Sequence, residues 1–226
     1  GDRPARMLVE WSYDEQFNES QRIVGPHALD VTDFTARQDL TGLEAGSEVF
    51  VRVTFQGVDN DRAISEPVTA RFVVPPEPLR GEGHMLGHAR TDLRFQWSGD
   101  TAGQGFGINR NFGGMKIYEA MRQRKPLFFI HSGDTISADS PIPSSLTVEG
   151  GKTWTNIVTP EVSKVAETLD EFRGRYRYNL LDENMRRYNA EVPQIWQWDD
   201  HDVMNNWSDS KDLSDDKRYS EKNVPL

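Results

Sequence analysis

Apolar residues recur with a period of two at Val49, Val51, Val53 and Phe55, with Phe50 and Arg52 on the opposite face. This is the spacing of a half-buried β-strand, and LEAGS supplies a turn ahead of it. Shorter apolar runs, MLVEWSY, RIVG and VTARFVVPP, are set off by turn residues in the same way. Residues 7–74 therefore predict a small antiparallel β module. It ends at PPEP (residues 75–78), where prolines exclude a continuing central strand and mark a linker.

The rhythm then changes. LRFQWSGD (residues 93–100) predicts a strand leading into a glycine-rich turn. Met115, Tyr118 and Met121 follow at helical spacing, in a helix that runs into basic residues suited to its C-terminus and stops before Pro126. LFFIHSGD (residues 127–134) is a near-continuous apolar run, the pattern of a strand buried on both faces of a parallel sheet. The segment SPIPSSLTVEGGKTWTNIVTP is too rich in Pro, Ser and Gly to predict regular structure. Val162, Val165, Leu169 and Phe172 mark one face of a helix, a further helical stretch passes through Leu180, Met185 and Tyr188, and Pro193 closes it. QIWQW then leads to Asp199, Asp200 and His201.

Strand, helix, strand, helices, strand is the order of right-handed crossovers in a parallel sheet, so the fold class is α/β. Such a sheet brings Asp100, Asp134 and the Asp199, Asp200, His201 group to its carboxyl edge, where α/β folds build their sites. Those residues are then neighbours despite separations of 34 and 66 positions.

Composition narrows the chemistry. Thirty-six acidic against twenty-six basic residues give a formal charge of −10, which disfavours duplex nucleic acid as a partner. No run approaches the roughly 20 apolar residues of a membrane span, and GDRPARM lacks the apolar core of a signal peptide. The absence of cysteine excludes disulfides, thiolate ligands and a cysteine nucleophile. A metal would be held by oxygen or imidazole, a donor set suited to calcium or ferric iron.

Taken singly, each aspartate is an ordinary turn former or helix N-cap. Three carboxylates meeting at one rim repel and raise one another's pKa unless cations lie between them, so a metal centre is the simplest resolution. His201 suits either a ligand or a proton donor to a leaving oxygen. His131, inside its strand, reads as structural, and His84 and His88 as linker residues. The turn GDTAGQGFGINRNFGG lacks both nucleotide-binding glycine patterns, and its glycines are expected to let backbone approach metal or substrate closely. Past Asn206 the aspartate-rich stretch reads as a solvated face.

WSGDTAGQGFGIN, FFIHSGDTISADSPI and WQWDDHDVMNNW together resemble successive blocks of PhoD-type alkaline phosphatases, a branch of the calcineurin-like metallophosphoesterases. FTARQDLTGLEAGSEVFVRVTF resembles part of that family's immunoglobulin-like N-terminal domain, with its first strand missing. The resemblance implies residues 1–76 as that domain and residues 77–226 as the first part of a four-layer α/β/β/α sandwich. It also implies secretion or a periplasmic location, and metal-dependent hydrolysis of small phosphate monoesters and diesters. Carried over by motif, Asp100, Asp134 and Asp200 are metal ligands and His201 assists the leaving group. Asp199, Asn205 and Asn206 fall into substrate-binding or supporting positions.

The family centre holds calcium (Ca2+) and iron (Fe3+). Ser137 stands where the family commonly carries a tyrosine that binds iron, and the cysteine of some members is absent, so calcium is the expected cation here, in a calcium-only or altered centre. The chain also stops before the family's later His- and Asp-bearing blocks, which implies an excerpt of a longer enzyme. The rival reading is a catalytically inactive calcium-binding or adhesive extracellular module, with Ser137 as its best support.

Overall fold

The computed structural model describes residues 3–76, 79–80, 86–87 and 92–210. The chain forms two compact units, Gly1–Leu93 and Arg94–Leu226. The sequence boundary after residue 76 falls earlier, and most of residues 77–91, including His84 and His88, lie outside the described residues.

In the first unit β1 (Ala5–Ser12), β2 (Gln21–Ala28), β3 (Glu48–Gly57) and β4 (Val68–Val73) make one antiparallel sheet in the order β2-β1-β3-β4. The predicted alternation sets its faces. Val49 and Val51 are buried with Met7 and Val9 of β1, and Val53 and Phe55 pack against them. Glu10 and Arg52 lie opposite in the register of β1 and β3 and pair at 3.2 Å. The apolar face is covered by Ala36, Leu40 and Leu43 from the long connection between β2 and β3. The described residues thus supply one sheet with a loop over it, where an immunoglobulin-like domain would have two facing sheets. A short hairpin of β5 (Leu79–Arg80) and β6 (Leu86–Gly87) follows.

The second unit contains β7 (Phe95–Ser98), α1 (Lys116–Arg122), β8 (Phe128–His131), β9 (Ser145–Val148), β10 (Lys152–Thr155), α2 (Leu169–Asn179), α3 (Glu183–Glu191) and β11 (Gln194–Trp196). β7, β8 and β11 form a parallel sheet with β8 in the centre, as the strand-helix order requires. Phe129 faces Tyr118 of α1 and Met185 and Tyr188 of α3. The Tyr188 hydroxyl donates to Gln96 on the same face at 2.7 Å. β8 is not buried on both sides, contrary to the apolar run: Phe129 and His131 are covered, whereas Phe128 and Ile130 are half-buried. Phe95, Trp97 and Ile195 leave that second face open, with Trp97 71% exposed.

Helix α2 starts later than the apolar periodicity predicts. Thr168 accepts from the Glu171 amide, and the Glu171 carboxylate accepts from the Thr168 amide at 3.0 Å. This reciprocal cap fixes the first turn. Val162, which ends a short 3-10 turn (Pro160–Val162), and Val165 precede it and are buried, while Leu169 is exposed. The Asp182 carboxylate caps α3 at Met185 N and also accepts from Met115 N. The Pro-, Ser- and Gly-rich segment is not wholly irregular, because β9 and β10 pair as a hairpin. Its turn is made possible by Gly150 and Gly151 at positive φ. Among the described residues no helix is long and apolar enough to cross a membrane.

Candidate metal centre

β7 and β8 end side by side, and their exit turns are joined through the backbone. The Asp100 amide donates to the Gly133 carbonyl at 3.1 Å, and the Thr101 amide to the Asp134 carbonyl at 2.8 Å. Asp100 and Asp134 both adopt left-handed backbone, φ 56° and 53°. Aspartate tolerates that region better than most residues. Between them Gly133 has φ 101°, and a Cβ there would overlap Asp199. The exit turn of β11 therefore lies directly on that of β8.

Asp202 holds these turns together. Its buried carboxylate accepts from the amides of Asp134 at 2.8 Å, Asp199 at 3.0 Å and Ile136 at 3.1 Å. Asp199 caps the short turn that follows β11, accepting from Asp200 N at 2.9 Å. Asp200 accepts from the His201 amide through one oxygen and from the Asn206 amide through the other. The His201 amide also reaches Asp134 Oδ1 at 3.1 Å.

Asp134, Asp200 and His201 consequently each present one ligand atom within 4.8 Å of the others. Asp100 lies beside them, close enough for its carboxyl to act on that of Asp134. Burial, and then Asp100, push the Asp134 pKa up to about 6. Asp100, Asp134 and Asp199 line a cleft of about 360 Å3, together with Trp97 and Ser132.

His201 is fixed from beneath. Its Nδ1 lies 2.7 Å from Asp139 Oδ1, and Asp139 is 2% exposed. The second Asp139 oxygen accepts from the Asn205 amide at 3.0 Å. Partial burial pulls the His201 pKa down, but the Asp139 hydrogen bond and the charges of Asp139, Asp134 and Asp200 outweigh it and raise the pKa overall. The loop carrying Asp139 is strapped by buried Arg175, whose guanidinium donates to the carbonyls of Ser137, Ser140 and Lys164. Sequence reasoning assigned no role to Asp139 or Asp202. Asp139, five positions after Asp134, and Asp202, next to His201, were visible as extra carboxylates; their partners were not.

The remaining candidates fall into place around this group. Asn205 and Asn206 engage it through their backbone amides. His131 is 1% exposed, lies between Phe129 and Trp196, and is hydrogen-bonded to Thr101 at 2.8 Å. At least one glycine of the turn after Asp100 serves the core and not a ligand: a Cβ on Gly107 would overlap the Tyr178 hydroxyl. Residues 211–226, most of the acidic stretch, lie outside the described residues.

A PhoD-like phosphatase family profile matches residues 95–225. Among solved structures, one titled as the structure of PhoD is similar with a TM-score of 0.67 at 20% sequence identity, over 92% of this chain and 34% of that one. A purple acid phosphatase, PPD1, from yellow lupin (Lupinus luteus) seeds has a TM-score of 0.47 at 10% identity, over 86% of this chain and 30% of that one. No curated protein sequence matches. The chain spans only 34% of the solved PhoD chain, and at this identity the likeness speaks to the mixed α/β fold. The profile covers more than half of the sequence, including every residue of the acidic group, and the chain belongs to the PhoD-like phosphatase family.

Proposed function

We propose that this chain supplies part of the active centre of a metal-dependent phosphoesterase that hydrolyses small phosphate monoesters and diesters. The observation that carries the reading is the gathering of Asp100, Asp134, Asp200 and His201 at the carboxyl ends of three parallel strands. The donors fit a hard cation. The raised Asp134 pKa points the same way: burial first, and then Asp100, disfavour its ionised form, which a bound cation would stabilise. We propose calcium as that cation. Ferric iron finds neither a phenolate at residue 137 nor a thiolate anywhere in the chain.

When bound, such a cation neutralises charge on the phosphoryl oxygens and makes water acidic enough to be a nucleophile near neutral pH. The protein residues do the rest. Asp100, Asp134 and Asp200 would hold the cation. Asp139 keeps a proton on His201 Nδ1 and orients the ring, so that Nε2 is free to protonate the departing alcohol oxygen. Asp202 keeps the turns after β8 and β11 in register by binding their backbone, and Arg175 braces the loop that carries Asp139.

The same reading assigns the open face of Phe95, Trp97 and Ile195 to a second sheet of a four-layer sandwich, the first unit to an immunoglobulin-like domain, and the enzyme to a compartment outside the cytoplasm. The exposure of that face supports the first assignment; the others rest on the family resemblance. The test is release of nitrophenol from nitrophenyl and bis-nitrophenyl phosphate by the full-length protein that carries this chain. Turnover should vanish on chelation and return with calcium. His201→Ala should abolish turnover while calcium still binds. A full-length protein with no metal-dependent turnover overturns the reading.

A further inference from the structure

A second cavity, of about 320 Å3, is lined by Asp100 and Thr101 and also by Phe106, Phe112, Trp154 and Lys116. Its volume lies at the lower end of the range of about 300–1,000 Å3 in which small-molecule sites fall. Trp154 touches Phe106 edge-on at 5.7 Å between ring centroids and Phe112 in a tilted arrangement at 5.2 Å. Lys116 places its ammonium 3.9 Å from the Phe112 ring centroid. Phe106 and Phe112 are 41% and 51% exposed.

This aromatic group is rigidly built. The indole N–H of Trp154 donates to Asn156 Oδ1 at 2.8 Å, which also accepts from Gly107 N at 2.8 Å. Asn156 Nδ2 donates to the carbonyls of Gly105 and Pro143 at 2.8 and 2.7 Å. A buried asparagine with every hydrogen-bonding position filled thus ties the turn after Asp100 to the hairpin that carries Trp154. Exposed rings held in one arrangement beside a charged site are the feature of a ligand surface, because unbound apolar clusters carry a solubility cost.

We propose that Phe106, Phe112 and Trp154 form a subsite for a planar aromatic ester group, aryl or heteroaryl, of a phosphate ester whose phosphoryl group would sit at the cation of Asp100 and Asp134. The proposal rests on the phosphoesterase reading and adds the substrate class. A methyl ester buries little surface on the rings, whereas a planar aromatic group stacks on them and displaces water from more apolar surface.

The test uses the full-length protein in calcium, with phenylphosphonate and methylphosphonate as probes, read by calorimetry and by inhibition of nitrophenyl phosphate turnover. The unsubstituted protein should bind phenylphosphonate about tenfold more tightly than methylphosphonate, as expected of one good aromatic contact. Trp154→Ala and Phe112→Ala should each bring that ratio towards one and leave methylphosphonate affinity unchanged. Phe112→Ala alters an exposed ring, so it decides the matter if Trp154→Ala does not fold. Equal affinities in the unsubstituted protein, or a ratio that survives both substitutions, overturn the subsite while turnover persists. A protein that neither turns over nitrophenyl phosphate nor binds either phosphonate overturns the phosphoesterase reading and the subsite with it.

Discussion

His201 Nδ1 and the buried Oδ1 of Asp139 are 2.7 Å apart, across 62 positions of sequence. Asp139 is one of the causes that raise the His201 pKa. A proton donor works in its protonated form, so activity declines as pH rises through its pKa. Replacing Asp139 by Asn keeps the shape of the side chain, removes the charge, and lowers that pKa. The alkaline limb of kcat/KM should therefore move to lower pH, with turnover down about 10- to 100-fold, the range for partners that orient a working residue. Steady-state kinetics across pH check this; an Asp139→Asn profile that overlays the parent would remove the dyad from the mechanism.

The carboxyl group of Asp134 bears on metal removal. With its pKa lifted from 3.8 to about 6, the cation-free folded state holds a proton that the unfolded chain has released. Between those values the folded state binds more protons, so its stability falls as pH rises and stays low above about pH 6. Calcium should reverse this, because a cation favours the ionised carboxylate. The calcium-induced rise in Tm should thus be larger at pH 7 than at pH 4.5, which thermal melts in chelator and in calcium measure directly. An equal rise at both pH values would show that Asp134 does not meet the ion.

Asp202 carries more of the architecture than its position beside His201 suggests. Asp202→Ala leaves the amides of Asp134, Ile136 and Asp199 without their shared acceptor. The buried amide of Ile136 costs about 1–3 kcal/mol when unpaired and the part-buried amides of Asp134 and Asp199 add less, so a loss of about 2–3 kcal/mol is expected. Chemical denaturation gives the value, and a loss below about 1 kcal/mol would mean that the turns are held elsewhere. Gly133→Ala should act on the same joint by a steric route, since its Cβ would overlap Asp199 at a backbone φ of 101°.

The sequence made the acidic rim legible because topology does the work: parallel strands all end on one edge, so Asp100, Asp134 and Asp200 needed only the right strand order to be neighbours. Asp139 and Asp202 were hidden because their roles depend on loops folding back, one under His201 and one beneath three amides. Apolar periodicity puts Val162 and Val165 on the same helix as Leu169, although Thr168 and Glu171 carry the start of α2 in plain sequence. The apolar run of β8 implied burial on both faces, but a run of apolar residues does not say how much of each face its neighbours cover. That is why Trp97 and Ile195 remain open.

Asn156 offers a last prediction in which charge separates from shape. Its amide donates to two carbonyls and its oxygen accepts two N–H groups, the bond to Gly107 N buried and the other three partly so. Asn156→Ala leaves several of these groups unpaired and should cost at least about 2 kcal/mol. Asn156→Asp keeps the size but turns an oxygen towards the carbonyls of Gly105 and Pro143. Burial and those carbonyls disfavour its ionised form, so its folded pKa lies above the unfolded value. Its stability relative to the parent should then fall as pH rises from about 4 to about 7, the opposite of a carboxylate held by a cation. Denaturation of the parent and Asn156→Asp at several pH values decides it. A difference that does not grow with pH would mean that the side chain turns away from those carbonyls, and that the tie between the Asp100 turn and the Trp154 hairpin is looser than its four hydrogen bonds imply.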